Sequence, residues 1–253
     1  PEYEFIFVFD RPFHPDFVFS SNVRAVVAPP PTRHPVLIFL WFELSIPFLI
    51  RKFRPDVFLS PDGFLSLSAK VKSLTVIHDL NFEHNPQDLP WKYRVFYRFF
   101  FKRYAKKASR IATVSEFSAS DISQHYSVIR DKIDVVYNGV AEGFKPLPPE
   151  RIREIREEFS EGDPYFIFVG SIHPRKNIIN LLKAFDLFRL RTSYPMNLLI
   201  VGKKQWCSAS IEETHRKMKY QKDVIFTGRL DVDKLQQVVS SAFALSYVSL
   251  FEG

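Results

Sequence analysis

The second half of the chain repeats one pattern four times: a short apolar run that ends in glycine or a polar loop. The runs occupy residues 165–169, 197–201, 224–227 and 242–247, and Gly170, Gly202 and Gly228 directly follow the first three. The segments between them carry apolar side chains at helical spacing. Short buried strands that alternate with helices predict βαβ units and a parallel sheet, so the fold class is α/β.

The first half carries the same alternation with less regular spacing. Its predicted strands are residues 4–9, 22–28, 56–60, 74–78, 111–114 and 133–137. A proline-rich stretch, residues 145–149, then separates the two halves and is typical of a linker. We therefore predict an N-terminal domain over residues 1–143, a linker and charged helix over 144–162, and a C-terminal domain over 163–253.

The charge balance favours anionic partners. The formal net charge is +7 and the pI is about 9.4, which suits nucleotide phosphates, nucleic acid or acidic lipid. Cys207 is the single cysteine, so a disulfide within the chain is impossible and a reducing, cytosolic setting is expected. The first residues form a strand pattern and not a signal peptide. Because the chain lacks an initiator Met and a final capping element, we expect both domains to be incomplete.

The most apolar segment, residues 36–50, is too short for a membrane span. Glu43, Ser45 and Pro47 interrupt it, whereas a span needs about 20 apolar residues. We predict a core helix with a kink near Pro47.

A basic and aromatic helix is predicted over residues 90–110. No acidic residue lies between Asp88 and Glu116. Aromatic residues, among them Phe96, Tyr97, Phe99, Phe100, Phe101 and Tyr104, are interleaved with the cations Lys92, Arg94, Arg98, Lys102, Arg103, Lys106, Lys107 and Arg110. Such a helix can lie on an anionic membrane surface. It can equally be a surface helix whose aromatic side is buried and whose basic face is solvated, and the sequence leaves both interpretations open.

The loop after residues 166–169 combines Gly170 with Arg175 and Lys176, and a helix is predicted from about Asn177. In an open α/β sheet such a loop lies outside the carboxyl end of a strand, where ligands bind. The start of a helix offers free N–H groups and a positive dipole end. The loop and the helix start together are suited to bind a phosphate or diphosphate. The alternative is a solvated basic loop without a ligand.

The ordered motifs of the whole chain resemble a known family. VGSIHPRKN, IVGKK, VIFTGRLDVDKL and the terminal SLFEG are similar to the nucleotide-sugar domain of retaining GT-B glycosyltransferases of family 4. In the first half, VIHDL, TVSEFS and VVYNGV resemble the acceptor domain and the domain junction of that family. The PRKN form and FLSPDG look most like bacterial mannosyltransferases. The resemblance implies two Rossmann-like, doubly wound parallel-sheet domains that face a cleft.

The resemblance also implies site residues. Three of them would act on the transferred sugar: His78 and Asp79 in the first domain, and Glu252 as the first glutamate of an E-x7-E motif whose second glutamate would fall beyond Gly253. The donor-binding set is Gly170, Ser171, Arg175, Lys176, Gly202, Gly228, Arg229 and Leu230. Within it, Arg175 and Lys176 would hold the donor diphosphate, because Ser171 stands where other members carry arginine.

The expected function is transfer of a hexose, with mannose as a candidate, from a GDP- or UDP-linked sugar to a glycan or lipid-linked saccharide, with retention. We expect no metal and no separate cofactor, since two cations and a helix end can stabilise the leaving diphosphate. The expected location is the cytoplasm, with peripheral contact to the inner face of the cell membrane through residues 92–110. No nucleic acid partner is expected, although a basic nucleic-acid-binding module, or an inactive fragment that keeps the fold, is the alternative.

Overall fold

The computed structural model describes residues 2–203 and 208–253, and Cys207 lies outside them. The chain divides into two compact units, one up to Asn138 and the other Gly139–Glu252. Within the described residues, no helix is long and apolar enough to cross a bilayer.

The N-terminal unit contains two parallel sheets. Its elements are β1 (Phe5–Phe9), β2 (Val23–Val27), α1 (Pro35–Leu40), α2 (Ile46–Phe53), β3 (Val57–Ser60), β4 (Lys72–Val76), α3 (Asn81–His84), α4 (Trp91–Lys107), β5 (Arg110–Thr113), α5 (Glu116–Tyr126) and β6 (Ile133–Val135). Strands β1 and β2 pair with each other, and β3, β4, β5 and β6 form a second sheet in chain order. All six predicted strands are confirmed, but β4 and β6 each end two residues earlier than predicted. His78 therefore lies in the loop beyond β4.

The apolar segment predicted as a kinked core helix is α1 and α2, joined by a π-helical turn over Trp41–Ser45. Pro47 is at the start of α2. Because proline has no N–H to donate, the regular hydrogen-bond ladder cannot run through this position, and the wider turn lies directly before it. The buried face of this segment packs with α4 in one cluster that includes Ile46 and Phe96.

The C-terminal unit contains α6 (Pro149–Ser160), β7 (Tyr165–Val169), α7 (Ile178–Arg191), β8 (Asn197–Val201), α8 (Ser208–Arg216), β9 (Val224–Gly228), α9 (Val232–Ser240) and β10 (Ala244–Leu245). Its four strands are all parallel, in the order β10-β7-β8-β9. The predicted strands β7 and β8 have the bounds that the sequence indicated. The last strand is shorter than the predicted 242–247.

Helices cover both faces of this sheet. Successive strand residues point to opposite faces, so Phe168 and Ile200 pack with α7 and α8 while Ile167 and Leu199 pack with α6 and α9. The sheet is therefore doubly wound. Ile155 of α6 is 1% exposed and packs in the same apolar cluster as Ile167 and Leu199. The charged helix that the sequence grouped with the linker is therefore an integral part of the C-terminal unit.

Candidate functional site

The strand order of the C-terminal unit places a candidate site between two loops. From β7 the chain moves outward to β8 and β9, and it then returns to pair β10 with the other side of β7. A doubly wound sheet binds ligands at such a reversal, outside the carboxyl ends of the strands. The loop after β7 carries Arg175 and Lys176, and the loop after β10 carries Glu252.

These three side chains meet. Arg175 Nη1 lies 2.8 Å from Glu252 Oε2, and Lys176 Nζ forms an ion pair with the other carboxylate oxygen, Oε1. The same Arg175 nitrogen donates to the carbonyl of Phe251 at 3.0 Å. The Lys176 side chain is 12% exposed and the Glu252 side chain 29%. The sequence-predicted diphosphate residues and the predicted sugar-contacting glutamate thus form one partly buried charge cluster.

The cluster changes the acidity of Glu252. Burial alone would raise the pKa of its carboxyl, but hydrogen bonds from Lys176 and Arg175 outweigh burial and lower that pKa to about 2. Glu252 is therefore ionised throughout the neutral range.

Backbone contacts hold the two loops together. The N–H of Leu250 donates to the carbonyl of Arg175 at 2.8 Å, and Asn177 Nδ2 donates to the carbonyl of Val248 at 3.1 Å. His173, which our sequence analysis did not select, accepts a hydrogen bond at Nδ1 from the N–H of Arg175 at 3.3 Å. These contacts hold the backbone of Arg175 and join its loop to the loop that carries Glu252.

Three of the predicted donor-binding residues are glycines at the ends of adjacent strands. The N–H of Gly202 donates to the carbonyl of Gly228 at 2.9 Å. A Cβ on Gly202 would lie 1.8 Å from the carbonyl oxygen of Gly170, and a Cβ on Gly170 would lie 4.0 Å from Lys176 Cε. The backbones of the three glycines therefore lie close together, and the Lys176 side chain lies next to Gly170.

The other predicted donor-binding residues have different surroundings. Ser171 and Arg229 are exposed. Leu230 packs against the apolar cluster beneath α6 and α9. Its side chain thus supports the loop after β9.

His78 and Asp79 belong to the N-terminal unit, in the loop after β4. His78 Nε2 lies 3.1 Å from the carbonyl oxygen of Pro61, which makes Nε2 the donor and Nδ1 the unprotonated atom in the neutral ring. Asp79 Oδ1 accepts from the N–H of Asn81 at 2.8 Å, at the start of α3. Both side chains are held by local hydrogen bonds, and their role on the sugar stays a prediction.

Comparison with protein-family models decides the family. Residues 3–143, more than half of the chain, match the model described as Glycosyltransferase Family 4. The chain belongs to glycosyltransferase family 4. Residues 150–253 match the model described as Glycosyl transferases group 1. The family recognised from the sequence motifs is thereby confirmed.

Curated relatives of this family 4 chain include two mannosyltransferases. The O-antigen chain mannosyltransferase RfbU of Salmonella typhimurium is 28% identical over 177 residues, which are 70% of this chain and 45% of that protein. The O-antigen chain mannosyltransferase B of Escherichia coli is 23% identical over 217 residues, 81% of this chain and 54% of that protein. The chain thus spans about half the length of these relatives.

A solved structure shows the same fold. Anabaena Alr3699/HepE, in complex with UDP-glucose, matches with a TM-score of 0.67 and 15% identity, over 90% of this chain and 60% of that one. The predicted α/β class with GT-B architecture is confirmed by such neighbours together with the parallel sheets of the two units.

Proposed function

We propose that this family 4 glycosyltransferase transfers a mannosyl residue from a nucleotide diphosphate sugar to a saccharide acceptor, with retention of configuration. One observation carries the proposal: Arg175 and Lys176 converge on Glu252 at the switch point of the C-terminal sheet. Two cations fixed at this point suit a diphosphate, and the glutamate suits the hydroxyl groups of a sugar.

The charge count favours an anionic donor. Two cations and one carboxylate leave one net positive charge. The cluster lies just before α7, and the side chain of the cap residue Asn177 accepts no hydrogen bond from the backbone N–H groups of the first turn of this helix. The positive end of the helix dipole and its first N–H groups therefore add to the attraction for phosphate oxygens.

Donor binding would rearrange this charge cluster. The diphosphate oxygens compete with Glu252 for Arg175 and Lys176, and the released carboxylate then becomes an acceptor for sugar hydroxyls. When the bond between sugar and diphosphate breaks, negative charge grows on the diphosphate. Cations that are already in place stabilise that charge without reorganising. In this proposal, His78 and Asp79 act on the transferred sugar from the N-terminal unit.

The choice of mannose follows the curated relatives, whose names describe O-antigen chain mannosyltransferases. We take GDP-mannose as the first donor to test and a UDP-sugar as the second, since the solved neighbour from Anabaena is in complex with UDP-glucose. We further propose that the acceptor is a glycan or a lipid-linked saccharide, handled at the cytosolic face of the membrane.

The test is a thermal-shift panel of UDP, GDP, ADP and their sugar conjugates. A ligand at a hundred times its Kd adds about 2.7 kcal/mol of stability. We expect one nucleotide family to stabilise the protein. Lys176→Ala should weaken that binding about tenfold to hundredfold, because a hydrogen bond to a charged group contributes about 1.5–3 kcal/mol.

The matched control is Lys183→Ala, which removes an exposed lysine on α7. This variant should bind like the wild type. A panel without any shift, or an equal loss of binding in both lysine variants, would contradict the proposed donor site.

A further inference from the structure

A single helical turn, α3, follows the loop that carries His78 and Asp79. It spans only Asn81–His84, and an isolated helix shorter than about 12 residues is marginal in water, since one hydrogen bond does not offset the entropy of fixing the first turn. Contacts with other elements must therefore hold this turn. The same contacts decide where the preceding loop lies, because Asp79 Oδ1 accepts from the N–H of Asn81 at 2.8 Å.

Glu83 links α3 to two longer helices. Its side chain is only 6% exposed. Oε1 accepts a hydrogen bond from the Tyr126 hydroxyl of α5 at 3.0 Å, while Oε2 lies 3.4 Å from Arg98 Nε of α4 and 3.7 Å from His125 Nε2 of α5. A carboxylate is buried to this extent only where charged or hydrogen-bonding partners compensate it. Glu83 therefore fixes α3 to one place between α4 and α5.

The partner from α5 is a permanent donor. Tyr126 is 1% exposed, and burial together with the charge of Glu83 raises the pKa of its hydroxyl, which stays protonated at neutral pH. If Glu83 were removed, this hydroxyl would lose its acceptor inside the protein. A buried donor without an acceptor is unfavourable, so the loss would favour a different position of α3.

The neighbours of Glu83 on α3 contact the same two helices. The Phe82 ring lies 4.8 Å from that of Phe101 on α4, measured between centroids. His84 Nε2 lies 2.8 Å from Asp121 Oδ2 on α5, with side chains that are 39% and 14% exposed. Solvent weakens the His84 pair more than the contacts of Glu83. The structure therefore makes Glu83 the main polar tie between α3 and the rest of the N-terminal unit.

We propose that Glu83 is a positioning residue of sugar transfer: it holds α3 between α4 and α5 and thereby fixes the loop that presents His78 and Asp79 to the transferred sugar. This inference rests on the proposed function. The rate of a reaction depends steeply on the alignment of the reacting groups, and a displacement of about 1 Å costs about hundredfold. Donor binding should be unaffected, because the donor-binding residues belong to the C-terminal unit.

The experiment measures release of the nucleotide from GDP-mannose, and in parallel from UDP-glucose, with mannobiose as the acceptor. Glu83→Ala should lower kcat about hundredfold and leave the Kd for the free nucleotide within about twofold. Glu83→Gln should lower kcat only about tenfold, because a glutamine oxygen still accepts from Tyr126 and only the charge is lost. The matched control is Asp134→Asn, which removes an ion pair with Arg110 elsewhere in the same unit and should turn over like the wild type.

A double variant separates positioning from a general loss of stability. If Glu83 acts through His78, its removal has little further effect once His78 is absent. Glu83→Ala should then lower kcat less than about threefold in the His78→Ala background. A merely structural role would lower kcat by the same factor in both backgrounds. Where Glu83→Ala does not fold, Glu83→Gln serves for the same comparison.

Hydrogen exchange reports on the loop without turnover. The amides of residues 78–85 should exchange faster in Glu83→Ala, while those of β4 and β5 keep the rates of the wild type. This pattern would show that the substitution loosens α3 and its loop and leaves the sheet intact.

Three results would overturn the inference and leave the proposed function intact. They are a wild-type kcat in Glu83→Ala, an equal loss of kcat in both His78 backgrounds, and unchanged hydrogen exchange over residues 78–85. A wild type that uses neither GDP-mannose nor UDP-glucose is a different outcome, because it contradicts the proposed function itself and this inference with it.

Discussion

The Nδ1 atom of His173 accepts a hydrogen bond from the backbone N–H of Arg175, at 3.3 Å. Pro174 lies between them and has no N–H, so the N–H of Arg175 is the first in this short helical turn that needs an acceptor. The chain uses the same arrangement twice more. His14 accepts from the N–H of Asp16 at 3.5 Å, and His34 accepts from that of Val36 at 3.3 Å, each before a proline. At His173 the capped residue belongs to the charge cluster.

His173→Ala should therefore weaken nucleotide binding. A lost cap costs about 1 kcal/mol, which corresponds to about fivefold in affinity if the loop must be ordered to bind. His173→Asn should restore most of the loss, because asparagine also accepts at this position. Isothermal titration with the nucleotide found in the panel measures both. His34→Ala, which removes the equivalent cap in the other unit, is the control, and an equal loss there would contradict the positioning role.

The ion pairs of Glu252 should stabilise the C-terminal unit in a pH-dependent way. The pKa of Glu252 is lowered from 4.5 to about 2, so its contribution is present above about pH 4.5 and disappears as the pH falls toward 2. Glu252→Gln should lower the free energy of unfolding by about 1–2 kcal/mol at neutral pH, after allowance for partial exposure.

Thermal denaturation from neutral to acid pH tests this expectation. The difference in stability between the wild type and Glu252→Gln should become smaller as the pH falls. Glu142→Gln, at an exposed glutamate of the same unit, should show no such difference. A Glu252→Gln effect that stays constant down to pH 2 would show that the ion pairs are not its cause.

Gly202 should tolerate no side chain. A Cβ there would lie 1.8 Å from the carbonyl oxygen of Gly170, and that oxygen belongs to the backbone of the neighbouring strand end. Gly202→Ala should destabilise the protein by about 3 kcal/mol or more, as overpacking against a rigid neighbour does. Urea denaturation measures it. Gly139→Ala is the control, since nothing lies within 4 Å of its Cβ position, and equal stabilities for the two variants would refute the close approach.

Sugar transfer should not depend on a divalent cation, because Arg175 and Lys176 supply the positive charge for the leaving diphosphate. Turnover with the donor found in the panel should keep its rate within about twofold after treatment with EDTA, whereas loss of even one preorganised hydrogen-bond donor to a developing negative charge costs about 2.7–4 kcal/mol of barrier. Loss of activity in EDTA that Mg²⁺ or Mn²⁺ restores would show that a metal shares this role.

Local patterns were sufficient for most of the secondary structure. Strands β7 and β8 have the predicted bounds because each is a short run of at least four apolar residues with side chains packed on both faces, which has few alternative conformations. The last strand was predicted too long. Residues 242–247 are apolar enough for a strand, but the strand is confined to Ala244–Leu245. The N–H groups of Phe243 and Ser246 still donate to β7 on either side of it, so the extent of the strand depends on the partner and not on the run itself.

Helix α4 also shows what local sequence patterns do not predict. Its composition indicated a basic and aromatic helix, and both interpretations stayed open because helical periodicity does not say which faces neighbouring elements cover. In the structure, Phe96 and Phe101 are buried and Trp91 and Phe99 are exposed. The packing of α1 against α4 brings Phe39 to the same surface.

The amino-acid sequence alone determined the alternation of strands and helices, the glycines at the strand ends, and the basic loop of Arg175 and Lys176. These features depend on side-chain period and backbone freedom within a few residues. The tertiary structure decided that β10 pairs with β7, which brings Glu252 onto both cations from more than 70 positions further along the chain. Strand order depends on which apolar faces bury each other, and that choice is made by the whole sheet and not by any one segment.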